Sequence, residues 1–292
     1  MEGIIIKGIG GFYYVRCDDG NILETRGCGR FRKEKITPLV GDRVLLDESL
    51  GSVVEILPRT CEFIRPPVSN ITQMIVVFST VSPKVDLRLV DTMLLYIEEK
   101  GIKGAVCINK SDLDDHENIE KIKNIYESAG YETIVTSAEK GEGGGALSKL
   151  LKDNISAFAG NSGVGKSSLL NLIDGSFSLE TGNVSEKIQR GKHTTRHVEL
   201  LPLNFGGYVL DTPGFGKIDL PIIEAKYLED YFKEFEPYKE GCKFTGCSHL
   251  KEKGCAVREA VENKEISLSR YESYVEFFEK LKAIKPWERK EK

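Results

Sequence analysis

One segment in the second half of the chain limits what the sequence can fold into. It reads Gly160-Asn161-Ser162-Gly163-Val164-Gly165-Lys166-Ser167-Ser168, in which a glycine and four further residues precede Gly-Lys-Ser. A predicted strand over 155–158 precedes the segment and a predicted helix over 166–173 follows it, so backbone N–H groups of the loop and of the helix start converge on one anion. A strand, a loop and a crossover helix in this order indicate a parallel α/β sheet. A glycine-rich turn without a ligand is the alternative.

The loop also predicts contacts to a nucleotide and its metal ion. Lys166 can reach the β- and γ-phosphates, and the Ser167 hydroxyl can bind Mg²⁺. The segment Asp211-Thr212-Pro213-Gly214 follows a predicted strand. Asp211 can therefore hold Mg²⁺ through water, while the backbone N–H of Gly214 contacts the γ-phosphate.

The polar segment over 191–196 is predicted to be a switch loop. Thr195, or else Thr194, can bind Mg²⁺ while the γ-phosphate is present. Phe215 stands where Ras-like proteins carry the glutamine that orients the attacking water. Since a phenyl ring cannot hydrogen-bond water, His193 is the candidate catalytic residue that positions it. Contact of His193 with RNA or solvent is an equally good interpretation.

The segment Asn109-Lys110-Ser111-Asp112 predicts which base the nucleotide carries. It follows a predicted strand over 105–108, and loops at the carboxyl ends of parallel strands are where ligands bind. The Asp112 carboxylate can accept both the N1–H and the exocyclic amine of guanine, a pair that adenine does not offer. Lys110 can lie along the base, and a backbone N–H of Ser137-Ala138 can bind its oxygen. Guanine is therefore favoured, and a solvated helix start is the alternative.

These motifs occur in an order that ordinary Ras-like GTPases do not have. The base-recognition segment at 109–112 precedes the phosphate loop at 160–168, whereas it follows that loop in Ras-like proteins. The order predicts a circularly permuted domain, which is possible where the original termini lie close together at the surface.

Three cysteines and one histidine near the C-terminus predict a metal site. They are spaced as Cys242-x4-Cys247-x-His249-x5-Cys255. Three thiolates and one neutral imidazole suit tetrahedral Zn²⁺, and four protein ligands fill the site, so we expect one structural Zn²⁺ per chain. Incidental free cysteines are the alternative. An odd total of 7 cysteines fits a reducing compartment better than a disulfide framework.

The predicted fold class is α/β with three domains. Short β-rich runs before residue 66 favour a small barrel of either OB or SH3 type, and Arg65-Pro66-Pro67 marks a stiff boundary. We therefore predict a barrel over 1–66, a permuted P-loop GTPase domain over 67–217 and a helical zinc-binding domain over 218–292. A length of 292 residues accommodates two or three domains.

The distribution of charge bears on partners and location. The formal charge of −4 argues against an overall basic surface, but positive residues outnumber negative ones within 26–43 and within 182–197. Such patches either contact the phosphates of folded RNA or are solvated loop charge. No run approaches the roughly 18 uncharged apolar residues of a membrane helix, and the N-terminus lacks the apolar core of a signal peptide. We therefore expect a cytoplasmic protein without a membrane partner.

Together these motifs resemble the ribosome small-subunit-dependent GTPases, the bacterial RsgA (YjeQ) family, over essentially the whole chain. The resemblance implies an N-terminal OB-fold that binds RNA, a permuted GTPase domain and a C-terminal zinc domain. It also implies a monomer that binds the 30S subunit and its 16S rRNA late in assembly and hydrolyses GTP to GDP with Mg²⁺, faster on the subunit. Arg196 replaces a third threonine often found in the family, which leaves open the threonine that binds Mg²⁺.

Two other functions remain consistent with the residues. One is a binding module in which the nucleotide only stabilises the fold. The other is a nucleotide switch that serves a different RNA or ribonucleoprotein. Hydrolysis rates and co-sedimentation with 30S or 50S subunits distinguish them.

Overall fold

The computed structural model describes residues 1–175, 177, 198–211, 215 and 218–285. The chain divides into two units, each made of separate stretches of sequence. The first comprises Met1–Ile75, Gly144–Ser162 and Lys166–Lys217, and the second comprises Val76–Gly143, Gly163–Gly165 and Ile218–Lys292.

Strands near the N-terminus form a closed barrel in the first unit. They are β1 (Glu2–Ile9), β2 (Phe12–Cys17), β3 (Ile22–Gly27), β4 (Arg43–Asp47) and β5 (Ser52–Ile56). β1 pairs with both β2 and β4, and β5 lies between β3 and β4, so the ladder closes on itself. A short helix, α1 (Gly29–Glu34), connects β3 to β4. A closed five-stranded barrel of this kind is OB-like, so the predicted barrel is confirmed and its type is settled.

Three consecutive isoleucines of β1 are buried, although successive side chains of a strand point to opposite faces. Ile4, Ile5 and Ile6 are 5%, 0% and 7% exposed. The register of β1 against β2 shifts between Ile5 and Lys7, which interrupts the alternation. Lys7 also lies opposite Glu199 of a later strand, so β1 pairs beyond the barrel as well.

Part of the rest of the first unit continues this ladder, and two short strands, β6 (Glu62–Ile64) and β7 (Pro67–Ser69), pair separately. Its further elements are α4 (Gly144–Leu151), β11 (Ile155–Ala159), α5 (Lys166–Ile173), β12 (Glu199–Pro202) and β13 (Tyr208–Asp211). β11 is parallel to β13, β13 is antiparallel to β12, and β12 is antiparallel to β1. The barrel and the strands around the phosphate loop therefore share one set of backbone hydrogen bonds.

The second unit begins within β8 (Gln73–Phe78), whose six residues are all buried. Its next elements are α2 (Leu87–Glu99), β9 (Lys103–Ile108), α3 (His116–Ser128) and β10 (Glu132–Val135). β9 and β10 are parallel, and a continuous apolar run such as β8 is typical of a strand covered on both faces. The predicted alternation of strands and helices is confirmed.

The C-terminal part of the second unit packs around aromatic side chains. Its elements are two 3₁₀ helices (Ala225–Tyr231 and Lys233–Phe235), α6 (Glu236–Lys239), α7 (Ala256–Glu262) and α8 (Leu268–Ala283). Phe232, Phe235, Tyr274 and Phe277 are each at most 2% exposed and belong to one cluster. The cysteine-rich loop connects α6 to α7. Within the described ranges, we find no helix with the length and apolar character needed to cross a bilayer.

Candidate nucleotide and zinc sites

The side chain of Asn109 joins segments that are distant in sequence. Asn109 follows β9 directly and is 1% exposed. Its Nδ2 donates to the carbonyl oxygen of Val164, 2.9 Å away and 55 residues further along the chain. Its Oδ1 accepts hydrogen bonds from Oγ1 of Thr136 at 3.0 Å and from the backbone N–H of Ala138 at 3.2 Å. The predicted base-recognition segment therefore contacts Val164, in the part of the phosphate loop that belongs to the same unit.

Gly165 occupies a position of the phosphate loop that admits only glycine. Its φ of +94° is in a region that other residues rarely adopt, and a Cβ there would lie 2.3 Å from Nδ2 of Asn109. The close approach of Asn109 therefore depends on the absence of a side chain at 165. Of the remaining loop residues, Ser162 and Gly163 are exposed, and Ser167 and Ser168 lie half-buried in the first turn of α5.

Asp112 and Lys110 are held by residues outside the sequence motif. Oγ of Ser137, a fully buried residue, donates to Oδ1 of Asp112 at 2.5 Å. Nζ of Lys110 donates to the carbonyl oxygen of Ser82 at 2.8 Å. Asp112 itself is exposed, so its carboxylate is oriented while remaining accessible.

Sequence reasoning missed Ser82 and Thr136 because neither belongs to a recognised motif. Thr136 directly follows β10, and Ser82 lies in the loop after β8. Thr136 could have been found as a site residue because it is a polar residue at the carboxyl end of a parallel strand, where ligands bind. The sequence predicted that a backbone N–H of Ser137-Ala138 binds the base, and in the structure the N–H of Ala138 donates to Oδ1 of Asn109.

Lys166 folds back onto its own loop. Its Nζ donates to the carbonyl oxygens of Gly160 and Asn161, at 2.7 and 2.8 Å. Burial lowers the pKa of Lys166 to about 8. A phosphate anion beside this ammonium group would favour its charged form, so anion binding and protonation of Lys166 are linked.

This linkage predicts that nucleotide affinity falls at high pH. Lys166 is charged below its pKa of about 8 in the free protein and becomes neutral above it, whereas bound phosphate raises that pKa. We expect the Kd for GTP to rise about tenfold from pH 7 to pH 9, measured by fluorescence titration. The Lys166→Met variant is the control. Its Kd changes with pH only through the other titrating groups, which include the guanine N1–H. Equal slopes in the two proteins would contradict the assignment.

Asp211 ends β13 in a partly buried, negatively charged environment. It lies directly opposite Glu199 of β12, and Glu199 in turn forms an ion pair of 2.6 Å with Lys7 of β1. Burial first, and the Glu199 carboxylate second, raise the pKa of Asp211, while Lys7 acts in the opposite direction. A divalent cation would offset both causes, so this position suits a magnesium ligand.

Other predicted residues of the site fall outside the described part of the chain. These are His193, Thr194, Thr195 and Gly214. Phe215 is described, is 2% exposed, and packs edge-on against Phe63 with ring centroids 5.5 Å apart. Its carbonyl oxygen accepts a hydrogen bond from the N–H of Gly160 at 3.1 Å. The phenyl ring is therefore part of the core and takes no part in orienting water.

The four predicted zinc ligands lie together. One ligand atom from each of Cys242, Cys247, His249 and Cys255 falls within 4.8 Å of the others. Nδ1 of His249 is 3.3 Å from Sγ of Cys255 and 3.6 Å from Sγ of Cys242, so Nδ1 is the nitrogen that faces the thiols. Three sulfur atoms and one imidazole nitrogen match the donor set of structural zinc.

Two thiols of this cluster, those of Cys247 and Cys255, are held in their protonated form without a metal. Burial raises the pKa of Cys247 to about 12 and also raises the pKa of Cys255. Zinc binds thiolates, so its binding would release these protons. The donor set and its burial therefore fit a zinc ion.

Comparison with known proteins identifies the family. The model of the RsgA GTPase family matches residues 56–221, and that of the RsgA N-terminal domain matches residues 2–50. The chain belongs to the RsgA family. It is therefore a GTPase, a hydrolase that acts on GTP, as the motifs predicted.

Relatives match along nearly the whole chain. The small ribosomal subunit biogenesis GTPase RsgA of Caldanaerobacter subterraneus is 48% identical over 285 residues, which covers 97% of this chain and 96% of that protein. The protein of the same name from Geobacillus kaustophilus is 48% identical, with coverage of 98% and 99%.

Two solved structures share the fold. YjeQ from Thermotoga maritima superposes with a TM-score of 0.83 at 36% identity and covers 97% of this chain and 99% of its own. YloQ, described as a circularly permuted GTPase, superposes with a TM-score of 0.82 at 39% identity and covers 98% of this chain and 96% of its own. The predicted fold class and the predicted permutation within the RsgA family are confirmed.

Proposed function

We propose that this GTPase acts in the maturation of the small ribosomal subunit. It binds the 30S subunit and its 16S rRNA, hydrolyses GTP faster when bound there, and leaves as the GDP form. Relatives named for small-subunit biogenesis, 48% identical along nearly their whole length, support this proposal. The single structural observation that carries the GTP-binding part of this proposal is the hydrogen bond from the Asn109 amide to Val164, which holds the guanine-recognition segment against the phosphate loop.

We assign the contacts to GTP from these positions. Asp112 binds the guanine edge, with Asn109, Lys110, Ser137 and Ala138 supporting it. The phosphates bind the loop residues 160–168, with Lys166 as their cation, and the N–H of Gly214 at the γ-phosphate. Mg²⁺ binds Ser167, Asp211 through water, and Thr195, while His193 positions the attacking water. Structural Zn²⁺ binds Cys242, Cys247, His249 and Cys255.

Basic residues on the barrel are the proposed contact with rRNA. Within the segment 26–43, Arg43 forms ion pairs with Asp18 and Glu2, and the buried Asp42 forms an ion pair with Arg59. The other positive residues of the segment are exposed: Arg26, Arg30, Arg32, Lys33 and Lys35. Glu34 is the only exposed acidic residue among them, so the free charge of this described segment is clearly positive. Lysine and arginine side chains displayed in this way bind phosphates and release counterions.

We further propose that the protein is a cytoplasmic monomer with the three domains 1–66, 67–217 and 218–292. Purified protein should sediment as a single chain, and as a complex when 30S subunits and a non-hydrolysable GTP analogue are added.

Stimulation of hydrolysis by the 30S subunit tests the proposed function. We expect the rate of GTP hydrolysis to rise at least tenfold when purified 30S subunits are added, because Phe215 cannot orient water and the free protein lacks the usual glutamine. Purified 50S subunits at the same concentration are the control. Equal rates with and without 30S would contradict the proposal, and stimulation by 50S alone would assign the protein to another particle.

A further inference from the structure

A carboxylate outside the four ligands faces the histidine of the zinc loop. Oε2 of Glu229 lies 2.7 Å from Nε2 of His249. The imidazole is 1% exposed and the Glu229 side chain is 23% exposed, so this contact is largely withdrawn from water. The opposite nitrogen, Nδ1, is the one that faces the thiols of Cys242 and Cys255.

This arrangement determines which nitrogen carries the proton. A neutral imidazole has one N–H donor and one nitrogen with a free lone pair. Because a carboxylate can only accept, the hydrogen bond to Glu229 places the hydrogen on Nε2. The lone pair of Nδ1 is then directed at the three thiols, where a metal ion would bind.

The backbone and ring of His249 are held by further contacts. Oη of Tyr271 donates to the carbonyl oxygen of His249 at 2.7 Å. The ring of Phe235 meets the imidazole edge-on, with centroids 5.7 Å apart. These contacts restrict the position of the residue but do not determine its tautomer. The hydrogen bond to Glu229 is the contact that determines it.

The carboxylate between Cys242 and Cys255, that of Glu252, is already occupied. Glu252 accepts hydrogen bonds from the backbone N–H groups of Ser248, Leu250 and Lys251, and from Oγ of Ser248. It therefore stabilises the turn that carries His249 and does not contact the imidazole in the described structure. Glu229 and Glu252 have different roles.

We propose that Glu229 is a positioning residue of the zinc site, which fixes His249 in the tautomer that binds zinc through Nδ1. The inference rests on the zinc site proposed above. No spacing within the cysteine-rich loop predicts Glu229, because it lies 20 residues before His249 in the 3₁₀ helix Ala225–Tyr231. Carboxylates that orient metal-binding histidines raise the affinity of the metal.

Zinc release from the intact protein tests this inference. The variants are Glu229→Ala, which removes the acceptor, and Glu229→Gln, which keeps an acceptor oxygen but removes the charge. Asp230→Asn is the matched control, because Asp230 is the next residue and pairs with Lys239. Transfer of zinc to a chromophoric chelator should be about 10–100-fold faster for Glu229→Ala than for the wild type. Glu229→Gln should be intermediate, and Asp230→Asn should match the wild type.

A second measurement separates a positioning role from general stabilisation. In the metal-free protein, ¹⁵N shifts of the imidazole should report the Nε2–H tautomer for the wild type and a mixture of tautomers for Glu229→Ala. Unchanged zinc release in Glu229→Ala, or in Glu229→Gln if the alanine variant does not fold, would overturn the inference while leaving the zinc site intact. A wild-type protein that binds no zinc would overturn the zinc site itself, and the inference with it.

Discussion

Replacing Arg270 by methionine is expected to lower the free energy of unfolding by about 3–5 kcal/mol. Arg270 lies in α8 and is 2% exposed. Its Nη1 donates to Asp91 at 2.8 Å, and its Nε donates to Glu234 at 2.7 Å. Both carboxylates are buried as well, with side-chain exposures of 1% for Asp91 and 4% for Glu234. Methionine fills much of the same volume but leaves two buried carboxylates without a cation, although Oγ of Ser273 still donates to Asp91. Removing one partner of a buried ion pair is strongly destabilising.

Thermal unfolding followed by circular dichroism measures this effect. A loss of this size should lower the Tm by roughly 6–20 °C in a domain of 150–250 residues. Lys280→Met is the control, since Lys280 lies on the same helix and forms an exposed pair with Glu276. Exposed pairs contribute about 0–1 kcal/mol, so its Tm should barely change.

A third variant identifies the cause of the loss. Adding Asp91→Asn and Glu234→Gln to Arg270→Met removes all three charges, and should recover part of the stability because no unpaired charge remains. An Arg270→Met protein as stable as Lys280→Met would show that the buried charges are compensated in another way.

Arg270 illustrates what the sequence could not predict. An arginine in a helix is expected at the solvent-exposed face, and the two partners of Arg270 lie 36 and 179 residues away. Nothing in the local pattern links the three residues. Only the packing of α8 against α2 and the 3₁₀ helix Lys233–Phe235 brings them together.

Features that depend on local sequence could be predicted, whereas features that depend on contacts between distant residues could not. The phosphate loop and the zinc loop were predictable because each is a short segment whose chemistry depends on local spacing. The pairing of Lys7 with Glu199 was not, because it joins strands almost two hundred residues apart. The hydrophobic pattern of a strand does not indicate which distant strand it pairs with.

The type of barrel could not be decided from the sequence for a related reason. Short β-rich runs predicted a small barrel, but the OB-like form depends on the pairing of β1 with β4 and on helix α1. α1 has 6 residues, which is less than two turns, so its sequence carries too little helical periodicity to be recognised.

Changing Asp112 to asparagine is expected to shift base preference from guanine to xanthine. The carboxylate accepts two hydrogen bonds from guanine in the proposed complex, and bonds to charged groups contribute about 1.5–3 kcal/mol each. Asparagine replaces one acceptor by a donor, which suits the 2-oxo group of xanthine and leaves the guanine amine without a partner. GTP affinity should fall roughly 100-fold or more, and XTP should bind better than GTP.

Competition between fluorescent nucleotide analogues and unlabelled GTP or XTP measures this change. Asp114→Asn is the matched control, because Asp114 lies two residues away and accepts a hydrogen bond from Asn118. That variant should retain its preference for GTP. An Asp112→Asn protein that still prefers GTP would remove Asp112 from the base site.

We propose that the segments at 109–112 and 160–168 hold one and the same nucleotide. The most direct test of this proposal is the XTP affinity of Asp112→Asn with and without Lys166→Met. If one ligand contacts both segments, the second substitution should weaken XTP binding roughly 100-fold, because it removes a charged donor from the phosphates of the nucleotide that the first substitution selects. Undiminished XTP binding in the double variant would show that the base and the phosphates are held at separate sites.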